Sequence, residues 1–189
     1  LFNNTTGINN IGIGSNSEVP SGTSNNQVRI GNTFIGYAGI QVAWSITSDL
    51  RWKENILPLK LGLNFISKLN PVSYIRINDE SQKTEYGLIA QELEKILEEE
   101  GIENTGMITK TDDGFYELRY NDLLAPIIRA IQEVKAENDI LKKENEDLKF
   151  RFSALELSAA KLVKLESLYY EMYKTIETIS SENKESINV

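Results

Sequence analysis

From Asp122 onward, apolar side chains return at steps of three and four: Leu124, Ile127, Ile131, Val134, Leu141, Leu148, Phe152, Leu155 and Leu162, with Asn138 and Asn145 in the two vacant slots. This spacing lays one apolar stripe along an α-helix, and a stripe sustained over several heptads needs a partner helix to cover it. At about 1.5 Å per residue the stretch 122–179 would run roughly 85 Å if unbroken, longer than any small domain could cover. A self-associating coiled coil is the economical reading, and a lone amphipathic helix packed on its own domain is the alternative. A polar residue in the seam costs stability but fixes register and oligomer number, so Asn138 and Asn145 read as alignment devices. Near Ala159, Leu162 and Leu165 two steps of three follow each other before Tyr169, Met172, Ile176 and Ile179 resume the seam. Such an insertion overwinds a coiled coil locally, and a turn folding the tail back is the other solution. Ser180 to Val189 reads as frayed.

The 189 residues include no histidine and no cysteine. A Ser-His-Asp triad, a thiolate nucleophile, a disulfide and an ordinary zinc or haem site are therefore excluded within the chain. Nothing in the sequence calls for a cofactor or a metal. A formal net charge of −8 opposes phosphate backbones and anionic membranes, so nucleic acid is not an expected partner. Runs such as Leu123 to Ile128 fall far short of a membrane span of roughly 18 residues. The chain starts at Leu1 with neither a basic n-region nor an apolar h-region, so no targeting segment is visible. The missing initiator Met suggests the C-terminal piece of something longer.

Charge divides the chain into three. Residues 1–47 carry a single acid, Glu18, and a single base, Arg29, among many Gly and Asn; residues 48–120 are richly charged with mixed strand and helix patterns; residues 121–189 are charged and contain no glycine. The expected architecture is α+β: a β-rich repeat fragment (1–47), a small mixed domain (48–120) and a long helical coiled-coil tail (121–189). Only the middle piece has the composition to build its own core.

The first segment opens with Leu1-Phe2-Asn3-Asn4-Thr5-Thr6-Gly7-Ile8-Asn9-Asn10-Ile11-Gly12-Ile13-Gly14, has an Asn-Asn-x-x-x-Ile-Gly echo at Asn25 to Gly31, and repeats Ile-Gly at Ile35-Gly36. Alternating Ile and Gly make strands too short to bury much surface alone, while Asn and Gly supply positive-φ corners; such units normally stack. The alternative is an Asn/Gly/Ser linker, above all over residues 15–27. The pattern resembles the head repeats of trimeric autotransporter adhesins and the shafts of bacteriophage tail fibres, in which three chains wind short strands around a shared axis.

In the middle piece a helical run is expected near Leu59 to Leu69, ended by Asn70-Pro71. A strand is expected at Val72 to Ile77 and a second at Glu85 to Ile89. A helix should follow from Ala90 to Glu100, closed by Gly101. Met107 to Thr109 and Phe115 to Arg119 flank Asp112-Asp113-Gly114, a hairpin signal.

Four blocks here resemble the C-terminal intramolecular chaperone domain of endosialidase-type phage tailspikes and tail fibres. They are Ser48-Asp49-x-Arg51-x-Lys53-x-x-Ile56, Leu69-Asn70-Pro71-Val72-x-Tyr74, Gly87-Leu88-Ile89-Ala90-Gln91-Glu92, and Tyr120-Asn121-x-Leu123-Leu124-Ala125-Pro126-Ile127. They occur in family order and span about residues 45–150. The resemblance implies a homotrimer that helps an upstream β-rich fibre of the same polypeptide to assemble, then releases itself. It implies a self-cleaving Ser-Lys peptidase that cuts between Thr47 and Ser48, with Ser48, Lys53 and Asp49 as the site. It also implies a virion tail-fibre setting, with a bacterial cell surface as the alternative.

The chemistry of the residues is compatible with that assignment. A serine hydroxyl needs a base, and without histidine a lysine is the common remaining partner. A solvated lysine is almost wholly protonated at pH 7; burial beside Trp52 or in a trimer interface would favour the neutral amine. Asp49 would oppose this, and fits better as a group that orients a hydrogen bond or strains the turn. Positions i and i+5 of one helix lie about 140° apart, so Ser48 and Lys53 can act together only if the segment is not a continuous helix. A turn satisfies this, and so does a lysine from a neighbouring chain. Without the resemblance, Ser48-Asp49 would read as a cap or turn and Lys53 as a solvated charge.

Two other readings use the same residues: a trimerisation cap that never cuts, and a receptor-binding fibre tip whose N-terminal repeats and aromatic residues contact a glycan. Gly87, Ala90, Gln91, Tyr74, Tyr120 and the expected helix cap Asn121 read as structural. The acidic clusters Glu98-Glu99-Glu100 and Asp112-Asp113 read as solvated.

Overall fold

The computed structural model describes the backbone of residues 1–187 and the side chains of residues 1–180. The chain is α+β: the described residues form three two-stranded sheets, two short α-helices and one long C-terminal helix. It divides into two compact units, residues 1–134 and 135–189.

In the first unit, β1 (Ile11–Ile13) and β2 (Val28–Ile30) pair in parallel, with Ile11 opposite Val28 and Ile13 opposite Ile30. The offset is 17 residues, and side chains repeat it: the Ile8 N–H donates to Asn25 Oδ1, Asn9 Nδ2 to Asn26 Oδ1, and Asn32 Nδ2 to the Ser15 carbonyl. The left-handed corners repeat it too, Asn9 with Asn26 and Gly14 with Gly31. One coil of chain is thus closed by asparagine hydrogen bonds that repeat at this offset. Residues 15–27 are not a linker: Ser17 and Val19 are both 2% exposed, and the Gln27 side-chain amide accepts the Ser21 backbone N–H and donates to the Ser21 carbonyl. At Gly22, a Cβ would run into the Asn3 carbonyl, so the close approach of the coil's two arms demands glycine.

The core lies in the following segment. Helix α1 (Leu63–Lys68) contributes Phe65, and Leu61 precedes it; α2 (Ala90–Glu99) contributes Leu93 and Leu97 at i and i+4; Met107 and Leu123 complete the buried cluster. Helix α1 is shorter than the expected run from Leu59. Its N-cap, Gly62, has no side chain to offer, and the Leu63 N–H is taken instead by Glu133, 2.7 Å away on the long helix. It stops at Lys68, where Leu69 is already extended ahead of Asn70-Pro71.

Strands β3 (Val72–Ile75) and β4 (Thr84–Gly87) form an antiparallel hairpin, each slightly shorter than expected. The chain then enters α2, which Gly101 ends in a left-handed conformation. Strands β5 (Ile108–Lys110) and β6 (Tyr116–Leu118) form the second hairpin at the Asp112-Asp113-Gly114 turn. Period-two alternation sends Tyr116 toward α2, where its hydroxyl donates to Glu94 at 3.0 Å, while Lys110 pairs with the same carboxylate at 2.8 Å.

Tyr120–Leu123 is a 3-10 turn that feeds helix α3 (Leu124–Ile187). Asn121, expected as a side-chain cap, lies inside that turn and offers its backbone carbonyl to the Leu124 N–H. The buried Pro126 occupies the first turn of α3, where its missing N–H costs nothing. The helix passes through Ala159 to Leu165 without the fold-back turn and runs on to Ile187, past the expected fraying point at Ser180. Asn188 and Val189, also part of that expectation, lie outside the described residues. Seam residues from Leu141 to Leu162 are all exposed in the single chain.

Candidate functional site

Asp49 sits in extended conformation at the N-cap of a one-turn 3-10 helix, Leu50–Trp52, and Lys53 leaves it extended again, at φ −123° and ψ 134°. The cap is a local, self-contained device. Asp49 Oδ1 accepts the Arg51 backbone N–H at 2.8 Å and Arg51 Nε at 3.0 Å, and Oδ2 accepts Arg51 Nη2 at 2.8 Å. The Arg51 side chain, and then its N–H, hold the Asp49 carboxyl below the usual carboxylate range; the same contact raises the Arg51 guanidinium.

The helical turn spans only Leu50–Trp52 and the chain is extended at Asp49 and Lys53, so the angular separation that a continuous α-helix imposes on i and i+5 does not arise. Lys53 Nζ consequently reaches back and donates to Ser48 Oγ at 2.7 Å, within one chain. Within the single chain the contact is made across the turn. Both Asp49 oxygens are engaged by Arg51, so Asp49 shapes the turn. Thr47, on the other side of the candidate bond, lies in irregular chain and is exposed, as is Ser48.

The surroundings of the pair are open. Lys53 is exposed and Trp52 is 82% exposed, so the burial expected from the tryptophan is not supplied within the single chain. The pair sits in an arm, residues 36–60, whose only regular structure is the 3-10 turn. Along it Ile40, Val42, Trp44 and Ile46 alternate with Gln41, Ala43, Ser45 and Thr47, and all four apolar side chains are exposed. Alternation of large apolar side chains with small or polar ones is the pattern of a strand covered on one face. The alternation is a signal carried by periodicity, in a segment whose composition of Gly, Ala, Ser and Thr resembles a linker.

The acidic clusters do not build a second site. Glu99 and Glu100 pair with Lys68, Asp113 accepts from the Thr111 hydroxyl, and Asp112 binds the Gly22 N–H. Gly87 lies where a Cβ would strike the Tyr120 hydroxyl, and that hydroxyl accepts the Leu88 N–H at 3.0 Å, which makes both residues structural. No helix among the described residues is long and apolar enough to cross a membrane.

Residues 48–102 match the family described as the chaperone of endosialidase, a peptidase family by name. The match begins at Ser48 and takes in the 3-10 turn, α1, the β3–β4 hairpin and α2. No curated protein matches the chain.

Proposed function

We propose that this chain carries an intramolecular chaperone that trimerises an upstream β-rich fibre of its own polypeptide, in a phage tail setting, and then cuts itself off between Thr47 and Ser48. The observation that carries the reading is the 2.7 Å contact of Lys53 Nζ with Ser48 Oγ at the first residue of the family match.

The chemistry follows from where the hydroxyl sits. Ser48 Oγ and the Thr47 carbonyl carbon close a five-membered ring, so the nucleophile needs no second segment to reach its target. Lys53, as the neutral amine, takes the hydroxyl proton as Oγ attacks. The Thr47–Ser48 C–N bond breaks, the proton passes to the leaving Ser48 nitrogen, and Thr47 is left as an ester on Oγ. Water then hydrolyses the ester, giving the Thr47 carboxylate and restoring the Ser48 hydroxyl. The enzyme acts once, on its own chain.

Exposure of the pair supports coupling of this step to assembly. A lysine in water is a poor base, and the alternating apolar arm around the pair is suited to burial between chains. The long helix supplies the means of association. With Asn138 and Asn145 in the seam, Glu137 and Glu144 take the g positions and Lys142 and Lys149 the e positions, the charge pattern of parallel, in-register helices.

Intact-mass analysis of the purified chain beside Ser48→Ala tests the proposal, with enough residues ahead of Leu1 to make both fragments visible. A fragment starting at Ser48, absent in the variant, supports it. An uncut chain that is nonetheless trimeric overturns the peptidase reading and leaves a non-cleaving trimerisation cap.

A further inference from the structure

The β5–β6 hairpin holds a piece of chain that lies on the far side of the proposed cut. Its own shape is set independently of that piece. Lys110 and Tyr116 tie it to Glu94 on α2, with the Lys110 ammonium 4.9 Å from the centre of the Tyr116 ring. At the turn, the Thr111 N–H donates to the Phe115 carbonyl at 2.9 Å, the Phe115 N–H to Thr111 Oγ1 at 2.9 Å, and Gly114 takes φ +86°. This leaves Asp112 at the tip and Glu117 on the face of β6 opposite Tyr116.

Both meet the upstream coil. The Asp112 N–H donates to the Pro20 carbonyl at 2.8 Å, and Asp112 Oδ2 accepts the Gly22 N–H at 2.7 Å. Arg29 Nη2 lies 2.7 Å from Glu117 Oε1, and Arg29 Nε donates to the Glu18 carbonyl at 3.1 Å, so one guanidinium joins the coil to the hairpin. The docked piece is itself ordered around buried Ser17 and Val19. Arg29 is also the sole base of residues 1–47. Between the coil and the hairpin, the exposed arm 36–60 is the covalent link that the cut would sever.

We propose that the β5–β6 hairpin is a docking surface for residues 17–32, and that it keeps the upstream piece bound after the arm is broken. Separation of the pieces, and not scission, then limits release. The consequence for release rests on the proposed cut, but the docking itself does not, and the experiment separates the two. In Ser48→Ala, which abolishes the proposed self-cleavage, a recognition sequence for a site-specific protease is inserted after Gly39. The arm is cut by adding that protease, and co-elution of the pieces is followed by size exclusion over time.

With the hairpin unaltered, the upstream piece stays bound. Asp112→Ala combined with Glu117→Arg speeds its loss by about tenfold or more, as removal of hydrogen bonds to charged groups implies. The exchanged pair Arg29→Glu with Glu117→Arg holds it longer than Glu117→Arg alone. Immediate separation from the unaltered hairpin overturns the proposal, as does equal retention by the doubly altered one. In the uncut chain, hydrogen exchange at the Gly22 and Asp112 amides gives a readout free of any folding defect in the variants: protection is expected, and exchange at the rate of an open loop overturns the docking. Failure of unaltered Ser48 to self-cleave sinks the peptidase reading and leaves the docking result standing.

Discussion

Lys53 Nζ and Ser48 Oγ lie 2.7 Å apart on the two flanks of a single 3-10 turn in one chain. Five residues separate them, and the turn alone brings them together. On the proposed mechanism, a pair placed this way needs no lysine from a neighbour. Mixed trimers of Ser48→Ala and Lys53→Ala chains are therefore expected to stay uncut, read as intact mass after co-expression and co-purification. Recovery of cleavage in the mixture would show that the functional lysine crosses between chains.

Lys53 is also where acid–base chemistry separates from structure. On the proposed mechanism Lys53 is the base, and Lys53→Met, which keeps the length of the side chain and removes that base, should slow self-cleavage by about 10²–10⁴-fold. Arg51→Met removes the side-chain clamp on Asp49 while leaving the Ser48–Lys53 contact chemically intact, and its effect should be smaller. Time courses of fragment appearance after refolding from urea rank the two. An Arg51→Met loss equal to that of Lys53→Met would mean that the turn and not the base limits the reaction.

The site was only half legible in the sequence. Spacing alone showed that Ser48 and Lys53 cannot share a helix face, but both residues read as ordinary surface groups until the four family-like blocks singled them out. Asp49 reads as a group that orients a hydrogen bond or strains the turn, and its oxygens meet the Arg51 side chain two residues on. The fold shows a similar division. Elements with their own punctuation, such as α2 before Gly101 and the hairpin around Gly114, fall close to expectation. The 17-residue coil was recoverable by aligning the segment with itself, since Asn9, Ile13 and Gly14 meet Asn26, Ile30 and Gly31. Docking of Arg29 on Glu117 joins residues far apart in sequence, and nothing local announces it.

Glu133 caps a helix to which it does not belong, and this gives a pH signature. The Leu63 N–H, and then Arg129, hold its carboxyl below the ordinary value of 4.5. A carboxyl depressed in the folded state stabilises fully above its unfolded pKa and loses that contribution as pH falls through the folded one. Glu133→Gln should therefore lower the melting temperature by a few degrees at pH 7. The gap should narrow as pH falls below about 4.5 and close once the folded carboxyl is protonated. Paired thermal melts from pH 7 to pH 3 check this, and a gap that does not change with pH would mean that Glu133 acts through packing.

Phe65 is 1% exposed, between α1 and the buried faces of Leu93 and Leu97. The domain has few such residues, so each carries a large share of stability. Phe65→Ala should cost about 3–5 kcal/mol, the range for a large aromatic removed from a core. Against total stabilities of about 5–15 kcal/mol this approaches unfolding of the domain. Urea titration followed by tryptophan fluorescence would miss it, because Trp44 and Trp52 are exposed in the arm. Far-UV circular dichroism would be dominated by α3. Hydrogen exchange in α2 is the suitable readout, and unchanged protection there would remove Phe65 from the core.

Asn138 and Asn145 decide between a solitary helix and a coiled coil. In the single chain both are exposed, as are the flanking seam residues Leu141 and Leu148. If the helix remained alone, Asn→Ile at both positions would add exposed apolar surface and leave stability nearly unchanged. In a coiled coil the same substitutions replace two polar layers with apolar ones that pack, so the melting temperature should rise by several degrees. The accompanying loss is specificity, because polar seam residues disfavour other registers and oligomer numbers. Sedimentation equilibrium should then show a mixture of states for Asn138→Ile/Asn145→Ile, where the parent shows one. The charge pattern adds a direction. Glu137→Lys with Glu144→Lys sets like charges against Lys142 and Lys149 in a parallel assembly, lowering its stability most at low salt. Indifference to that reversal would point to antiparallel packing, which cannot align three upstream chains for a shared fibre.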